Sequence, residues 1–305
     1  MNWENLQSQI QEVNLPLLTE KNIKLSILRE DLIHPDISGN KFRKLKYNII
    51  EAQRLGFKKI ITFGGAYSNH IAASAAAAKL NNLEAIGFIR GEETENLIEQ
   101  NPTLSFAKSQ GMNFQFLTRE EYRLKDSEDF LDQLKIEFPD YYIIPEGGTN
   151  DLAIKGCEEI LNENTSTFDY ICSAIGTGGT ISGLINSTTE NQTVLGFPAL
   201  KNIDFEEEIC KLTTYNNFKI INEYHFGGYG KINDELVSFI NQYKTLTSIP
   251  LDPIYTGKMM FGIMDLIEND FFESETKILA VHTGGLQGID GINQKLKKKN
   301  KKLII

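Results

Sequence analysis

Lys41 follows Ser38, Gly39 and Asn40 and precedes a run with helical spacing, in "DISGNKFRKLKYNI" from Asp36 to Ile49. Arg43 and Lys44 come within the next three residues. Three cations in four residues repel one another, so the run implies an anion nearby. A second stretch, "GTGGT" from Gly176 to Thr180, offers a place for one. Gly176, Gly178 and Gly179 let backbone N–H groups turn inward. Thr177 and Thr180 add hydroxyl donors, and the next helix points its positive end at the loop. The pattern is a phosphate cradle. It is neither G-x-x-x-x-G-K-[ST] nor G-x-G-x-x-G, so one terminal phosphate is a more economical ligand than a nucleotide. A phosphate loop together with an isolated lysine points to pyridoxal phosphate, whose aldehyde condenses with an amine and whose phosphate needs an anchor. On this reading Lys41 is the Schiff-base lysine and Lys44, one turn along, reaches the phosphate. Asn40 or Ser38 would cap the helix. The plain alternative is a capped helix with a solvated basic face, burying Phe42, Leu45 and Ile49.

The elements that must position these residues alternate regularly. "KIITFGG" (Lys59–Gly65) is β-branched and ends in glycines, and it leads into the Ala-rich helical segment "NHIAASAAAAKL" (Asn69–Leu80). The same order of strand, glycine and helix recurs through "LEAIGFIRG", "NFQFLT", "YYIIPEGG", "DYICSAIGTGGT", "TVLGFPAL" and "KILAVHTGG". That succession predicts an α/β fold with mainly parallel twisted sheets flanked by helices. Ligands of such sheets bind at the carboxyl ends of strands, beside helix N-termini. Four glycine-rich ends stand out there: "GGAYSNH", "PEGGTN", "GTGGT" and "HTGG". The basic tail "QKLKKKNKKL" reads as a solvated helix end, its lysines favourable near the negative pole of the helix dipole.

Bulk properties narrow the partners. The chain has 305 residues, enough for one large or two modest domains, with 41% hydrophobic and 24% charged residues. A net charge of -10 argues against nucleic acid. No apolar run reaches the ~20 residues that span a bilayer, and the N-terminal "MNWENLQSQIQEV" is polar and amphipathic with no signal-peptide core. Cys157, Cys172 and Cys210 form no C-x-x-C pair, which fits a reducing cytoplasm without disulfides, and the four scattered histidines predict no metal site.

Six stretches, "SGNKFRKL", "GGAYSNHIAASAAAA", "GTGGT", "GGYG", "DPIYTGK" and "HTGG", occur in an order and rough spacing that resembles the D-cysteine desulfhydrase and 1-aminocyclopropane-1-carboxylate deaminase family. These are fold-type II pyridoxal-phosphate enzymes related to the tryptophan synthase β-chain, and the resemblance runs from about Leu28 to Gly285. It implies that Lys41 carries the cofactor, and that Lys44 with Gly176, Thr177, Gly178, Gly179 and Thr180 holds the phosphate. It implies that Asn69 bonds the ring hydroxyl and that Ser68, Asn69 and His70 line the substrate carboxylate. Ser68 also matches the family's acid/base or nucleophilic serine, and Tyr229 and Tyr255 match two active-site tyrosines. The implied architecture is a large domain of residues 1–43 plus 150–305 with a small domain, 44–149, inserted; homodimers are usual.

Within the family, desulfhydrases read Y-T-G-K and H-T-G-G, as this chain does at Thr256 and Thr283, both implied to lie near the cofactor ring. A neutral threonine hydroxyl near the ring nitrogen supports a weaker electron sink than a carboxylate does. A weaker sink suffices for β-elimination, where a thiolate leaves readily. The resemblance therefore implies a lyase that converts a small amino acid, D-cysteine foremost, to pyruvate, ammonia and sulfide. The alternatives are 1-aminocyclopropane-1-carboxylate deamination, with Ser68 active, and a non-catalytic pyridoxal-phosphate binder. Tyr67 stands where relatives usually carry glutamine, at the substrate end of the implied pocket.

Overall fold

The computed structural model describes residue 3 and residues 6–201 and 203–305. The polar N-terminal stretch read above falls in part on residues 1, 2, 4 and 5, which lie outside the described residues. The chain opens with β1 (Ile10–Val13) and β2 (Lys24–Leu28), paired antiparallel. It then leaves that sheet and builds a second one from β3 (Lys59–Gly65), β4 (Glu84–Arg90), β5 (Met112–Leu117) and β6 (Tyr141–Ile144). These four pair in parallel in the order β5-β4-β3-β6. The chain returns through β7 (Tyr170–Ile175), β8 (Thr193–Pro198), β9 (Phe218–Ile220) and β10 (Lys277–Val281) to complete the first sheet, ordered β1-β2-β10-β7-β8-β9. Every pairing there except β1 with β2 is parallel.

Both sheets are buried on both faces, and the period of two along each strand sorts the side chains. In β3, Ile60 joins a core with Ile49, Leu45 and the alanines of helix Asn69–Leu80, whereas Ile61 and Phe63 face Phe88 and Leu134. In β7, Ile171 and Ile175 face Leu184 and Ile209, whereas Cys172 and Ala174 face Met259 and Ile263. Helix Asn69–Leu80 is buried nearly all round, which its run of small alanines permits.

Helix Asn40–Arg54 joins the two halves. Phe42, Leu45, Ile49 and Ala52 pack on the four-stranded side. Its opposite face meets helix Asp151–Glu158 so closely that a Cβ on Gly156 would lie 2.0 Å from the Arg43 carbonyl oxygen. At its start, Gly39 has φ +66, and a Cβ there would lie 1.9 Å from the carbonyl oxygen of Thr283. Only glycine lets the Lys41 segment settle on the turn after β10.

Three details differ from the sequence reading. Neither Asn40 nor Ser38 caps this helix, since Gly39 occupies the cap position and no side chain bonds the first turn. Both side chains have found distant partners instead: Ser38 Oγ donates to the Asp31 carbonyl at 3.1 Å and Asn40 Nδ2 to Thr180 Oγ1 at 2.8 Å. Arg43 is not part of the anion-binding group, because its guanidinium is buried in a bidentate pair with Glu30 at 2.9 and 3.0 Å. Strands β1 and β2 lacked the strand–glycine–helix cadence and were not among the expected elements.

Gly156→Val tests the close approach of the two helices. Overpacking there should cost about 1–3 kcal/mol in urea unfolding of the cofactor-free chain. An unchanged midpoint would show that the helices separate freely.

Candidate active site

A cavity of about 710 Å³ lies where the two sheets face each other, at the carboxyl ends of β3, β4, β7 and β10. Lys41 and Lys44 enter it from the first turn of helix Asn40–Arg54. Lys44 is 1% exposed, and its Nζ donates to Thr149 Oγ1 at 2.9 Å and to Thr177 Oγ1 and the Gly147 carbonyl at 3.2 Å. No carboxylate pairs with it among the described residues. Burial pushes its pKa down to about 8. Burial, and then the neighbouring Lys44 charge, push that of Lys41 down to about 7.

The glycine loop faces these amines. Gly178 (φ +83) begins helix Gly179–Ser187 with no side-chain cap, so the first N–H groups of that helix are left for a ligand. Gly176, Thr177, Gly178 and Thr180 line the cavity. Gly179 stands just behind, where a Cβ would lie 2.9 Å from the Thr149 methyl and 3.2 Å from Lys44 Nζ. A buried ammonium without a countercharge, set against an uncapped helix start, is a donor set that lacks only an anion. These residues fit a phosphate-bearing cofactor.

On the opposite wall, Tyr67, Ser68, Asn69 and His70 follow β3. Ser68 caps helix Asn69–Leu80, its Oγ accepting from the N–H groups of His70 at 3.2 Å and Ile71 at 3.4 Å. His70 is almost wholly buried, with Nε2 2.7 Å from Thr62 Oγ1, and burial followed by the charges of Lys41 and Lys44 keeps it neutral. Tyr67 bridges the halves: its ring occupies the space over Gly291, where a Cβ would lie 2.6 Å from it, and Lys295 Nζ sits 5.4 Å from its centroid.

Tyr229 and Tyr255 close the third side, their rings 6.2 Å apart and edge to face. Burial pushes the Tyr255 phenol well above its ordinary value, and the half-exposed Tyr229 is shifted in the same direction, so both stay protonated. Two residues that sequence reasoning missed hold them. Asp252 accepts from the N–H groups of Ile254, Tyr255 and Thr256, each at 2.8 Å, and so fixes the start of helix Thr256–Glu268. Lys258, 2% exposed, donates at 2.9 Å to the carbonyls of His225 and Gly228 and ties down the loop that carries Tyr229. Both lie inside "DPIYTGK", but their roles depend on long-range or backbone partners that spacing does not reveal.

Of the two threonines expected near the ring, Thr283 lines the cavity and Thr256 does not. Thr256 is fully buried, and its hydroxyl donates to Asp252 Oδ2 at 2.8 Å. The structure thus gathers Lys41, Lys44, Tyr67, Ser68, Asn69, His70, Tyr229, Tyr255 and Thr283 round one cavity and leaves Thr256 behind it. The wall also holds Arg90, Glu146, Lys231 and Lys295. Glu146 lies in "PEGGTN", and Lys295 lies in the basic tail read as a solvated helix end, whose first lysine thus reaches the cavity.

Two α/β halves, a phosphate-ready helix start and an amine of lowered pKa between them define a cofactor-dependent enzyme of the fold-type II class. The pattern of pyridoxal-phosphate dependent enzymes matches residues 10–284, and the chain belongs to that family; its cofactor is pyridoxal phosphate. A Pyrococcus horikoshii protein provisionally named 1-aminocyclopropane-1-carboxylate deaminase is 32% identical, over 88% of this chain and 87% of its own length. The mitochondrial bifunctional D-cysteine desulfhydrase/1-aminocyclopropane-1-carboxylate deaminase of Arabidopsis thaliana is 30% identical, over 95% of this chain and 79% of its own. A crystal structure described as an ACC deaminase homologue superposes with a TM-score of 0.83 at 29% identity, covering 98% of this chain and 95% of that one.

Two outcomes follow from this geometry. Gly291→Val should lose about 1–3 kcal/mol of stability by expelling the Tyr67 ring, and adding Tyr67→Ala should return most of it. Purely additive losses across the four proteins would dissociate the two residues. Separately, the rate at which the cofactor-free chain takes up pyridoxal phosphate should climb with pH through a midpoint of about 7 and level off above it, tracking the neutral form of Lys41. A rise continuing toward pH ~10, as for an ordinary lysine, would mean that burial does not act on the reacting amine.

Proposed function

We propose that the enzyme is a lyase that removes a β-substituent from a small amino acid, with D-cysteine as substrate and pyruvate, ammonia and sulfide as products. When bound, pyridoxal phosphate supplies an aldehyde for a lysine amine and a ring that draws off the electron pair left at the substrate α-carbon. Lys41 Nζ would hold the cofactor and, with a pKa lowered to about 7, serve as base for the α-proton. Lys44 and the loop 176–180 would hold the phosphate, and Asn69 the ring hydroxyl. Tyr229 and Tyr255, protonated, would donate toward the leaving group.

One observation carries the choice of reaction. Glu146 is the only carboxylate on the cavity wall among the described residues, and it is already engaged by Tyr122 at 2.8 Å and Lys125 at 3.1 Å. With no free carboxylate there, the ring-nitrogen partner in this proposal is a neutral hydroxyl, that of Thr283. The weaker sink that results suits a thiol of pKa ~8.5, which departs readily. A ring carbon of aminocyclopropane carboxylate needs more help. Ser68 is on the wall, and the names of the relatives favour that second reaction. Yet its Oγ already accepts two N–H groups, which suits it to donating a hydrogen bond to a carboxylate rather than attacking carbon. A merely cofactor-binding protein would have no use for the paired tyrosines.

The same proposal includes a small domain, 44–149, inserted in a large domain of 1–43 plus 150–305, and a homodimer in the cytoplasm. Free Cys157, Cys172 and Cys210 support a reducing setting. No described helix is long and apolar enough to cross a membrane.

Borohydride reduction of the yellow protein followed by peptide mapping should find the cofactor on Lys41, and an adduct on another lysine would overturn that assignment. On the unmodified enzyme, kcat/KM for D-cysteine, followed as sulfide and pyruvate, should exceed that for aminocyclopropane carboxylate, followed as 2-oxobutyrate. The reverse order would hand the function to the deaminase reading.

A further inference from the structure

The glycine loop carries two hydroxyls, Thr177 and Thr180, and the fold treats them differently. Thr177 Oγ1 belongs to the Lys44 cluster, 3.2 Å from Lys44 Nζ and 2.5 Å from Thr149 Oγ1. Thr180 is 5% exposed, lines the cavity and is the second residue of helix Gly179–Ser187. A serine or threonine inside a helix commonly directs its proton to the carbonyl four residues back. In this same helix Ser182 does so to the Gly178 carbonyl at 3.1 Å, and Ser187 to that of Gly183 at 2.9 Å. Thr180 does not. Among the described residues, its side-chain oxygen has one nitrogen or oxygen partner, Asn40.

Asn40 Nδ2 donates to Thr180 Oγ1 at 2.8 Å, across 140 positions of sequence. A hydroxyl has one proton and two lone pairs. With one lone pair held by the amide, the proton points away from Asn40, either into the cavity or at Cys157. Burial pushes the Cys157 thiol up to about 11, so it stays protonated, and a neutral sulfur accepts hydrogen bonds weakly. An oxyanion in the loop is much the stronger acceptor. The amide is itself aimed by backbone contacts. The Asn40 N–H donates to the Thr283 carbonyl at 3.2 Å, and Gly39 fits against the same carbonyl.

We propose that Asn40 is a positioning residue for the cofactor: by donating to Thr180 Oγ1 it turns the proton of that hydroxyl toward the phosphate. The inference rests on the phosphate reading of the glycine loop and gives a task to the residue before Lys41. The bond also polarises the hydroxyl, because a group that accepts one hydrogen bond donates a stronger one. It ties the turn that carries Lys41 to the loop that faces the phosphate, so both ends of the cofactor would be held by one connected set of groups.

The test is absorbance titration of the full chain, freed of cofactor, with pyridoxal phosphate and with pyridoxal, which has the aldehyde but no phosphate. Thr180→Val should weaken binding of pyridoxal phosphate at least about tenfold, the factor carried by one hydrogen bond to an ionised group. Asn40→Ala should weaken it about fivefold, as the loss of one neutral hydrogen bond does. Asn40→Ala should add nothing in the Thr180→Val background, and should repeat its fivefold loss in Thr180→Ser, which keeps the hydroxyl. Pyridoxal should bind the unmodified and Asn40→Ala proteins equally well. Equal weakening toward both aldehydes would mean that Asn40 only shapes the Lys41 turn, and overturns the inference. A fivefold loss that persists without the Thr180 hydroxyl overturns it too. So does pyridoxal phosphate binding that is unchanged or tighter in Asn40→Ala. If Thr180→Val binds pyridoxal phosphate as the unmodified chain does, the phosphate reading of that hydroxyl falls and the inference with it. If only the Asn40 arms fail, that reading stands and the positioning role alone is lost.

Discussion

Lys44 is 1% exposed, and the three oxygens around its Nζ are all neutral. A buried charge left in that condition costs several kcal/mol, which hydrogen bonds to hydroxyls and a carbonyl only partly offset. Lys41 adds a second amine a turn away, and burial followed by the Lys44 charge weakens its hold on a proton. On the proposed reading a phosphate completes the site, and the bound cofactor would then contribute to stability as well as chemistry, by mass action on the folded state. The loops that meet at Lys44 come from both halves of the chain, so that anion would also link them.

Placement of that ammonium depends on close backbone approaches. Gly39 lets the Lys41 turn rest on the Thr283 carbonyl, and Gly156 lets helix Asn40–Arg54 meet its neighbour nearly backbone to backbone. The buried Arg43–Glu30 pair holds the far side of the same helix turn. Three positions of one short segment thus have three different settings: Lys41 on the cavity wall, Arg43 in a buried ion pair and Lys44 among neutral oxygens. The tyrosine wall is built the same way. Asp252 and Lys258 spend their charges on backbone groups, and the result is a pair of protonated phenols held at a fixed angle.

Much of the framework was legible in the residues. The bounds of β3 and of helix Asn69–Leu80 match the segments read from β-branching, glycine and the alanine run, because those signals act within a few residues. The parallel α/β class followed from the recurring cadence of strand, glycine and helix. The uncapped helix start at "GTGGT" was legible for a local reason too, since glycines before a helix leave its first N–H groups presented whatever surrounds them.

Tertiary structure decided what each polar side chain does once distant segments meet. Sequence put Arg43 with the two lysines, and Glu30 took it away. It offered Asn40 or Ser38 as caps, and Thr180 and Asp31 claimed them. It treated Thr256 and Thr283 alike, and Asp252 buried one hydroxyl while the other reached the cavity. It did not place Arg90 on the cavity wall, because nothing near it in the chain marks the end of β4 as a neighbour of Gly65. Local periodicity and backbone preference act between residues a few positions apart, so the chain alone determined its elements and its glycine loop. Which charges are neutralised and which face the substrate depends on pairs up to a hundred residues or more apart, such as Lys44 with Thr177, and only the folded packing of both sheets brings those together.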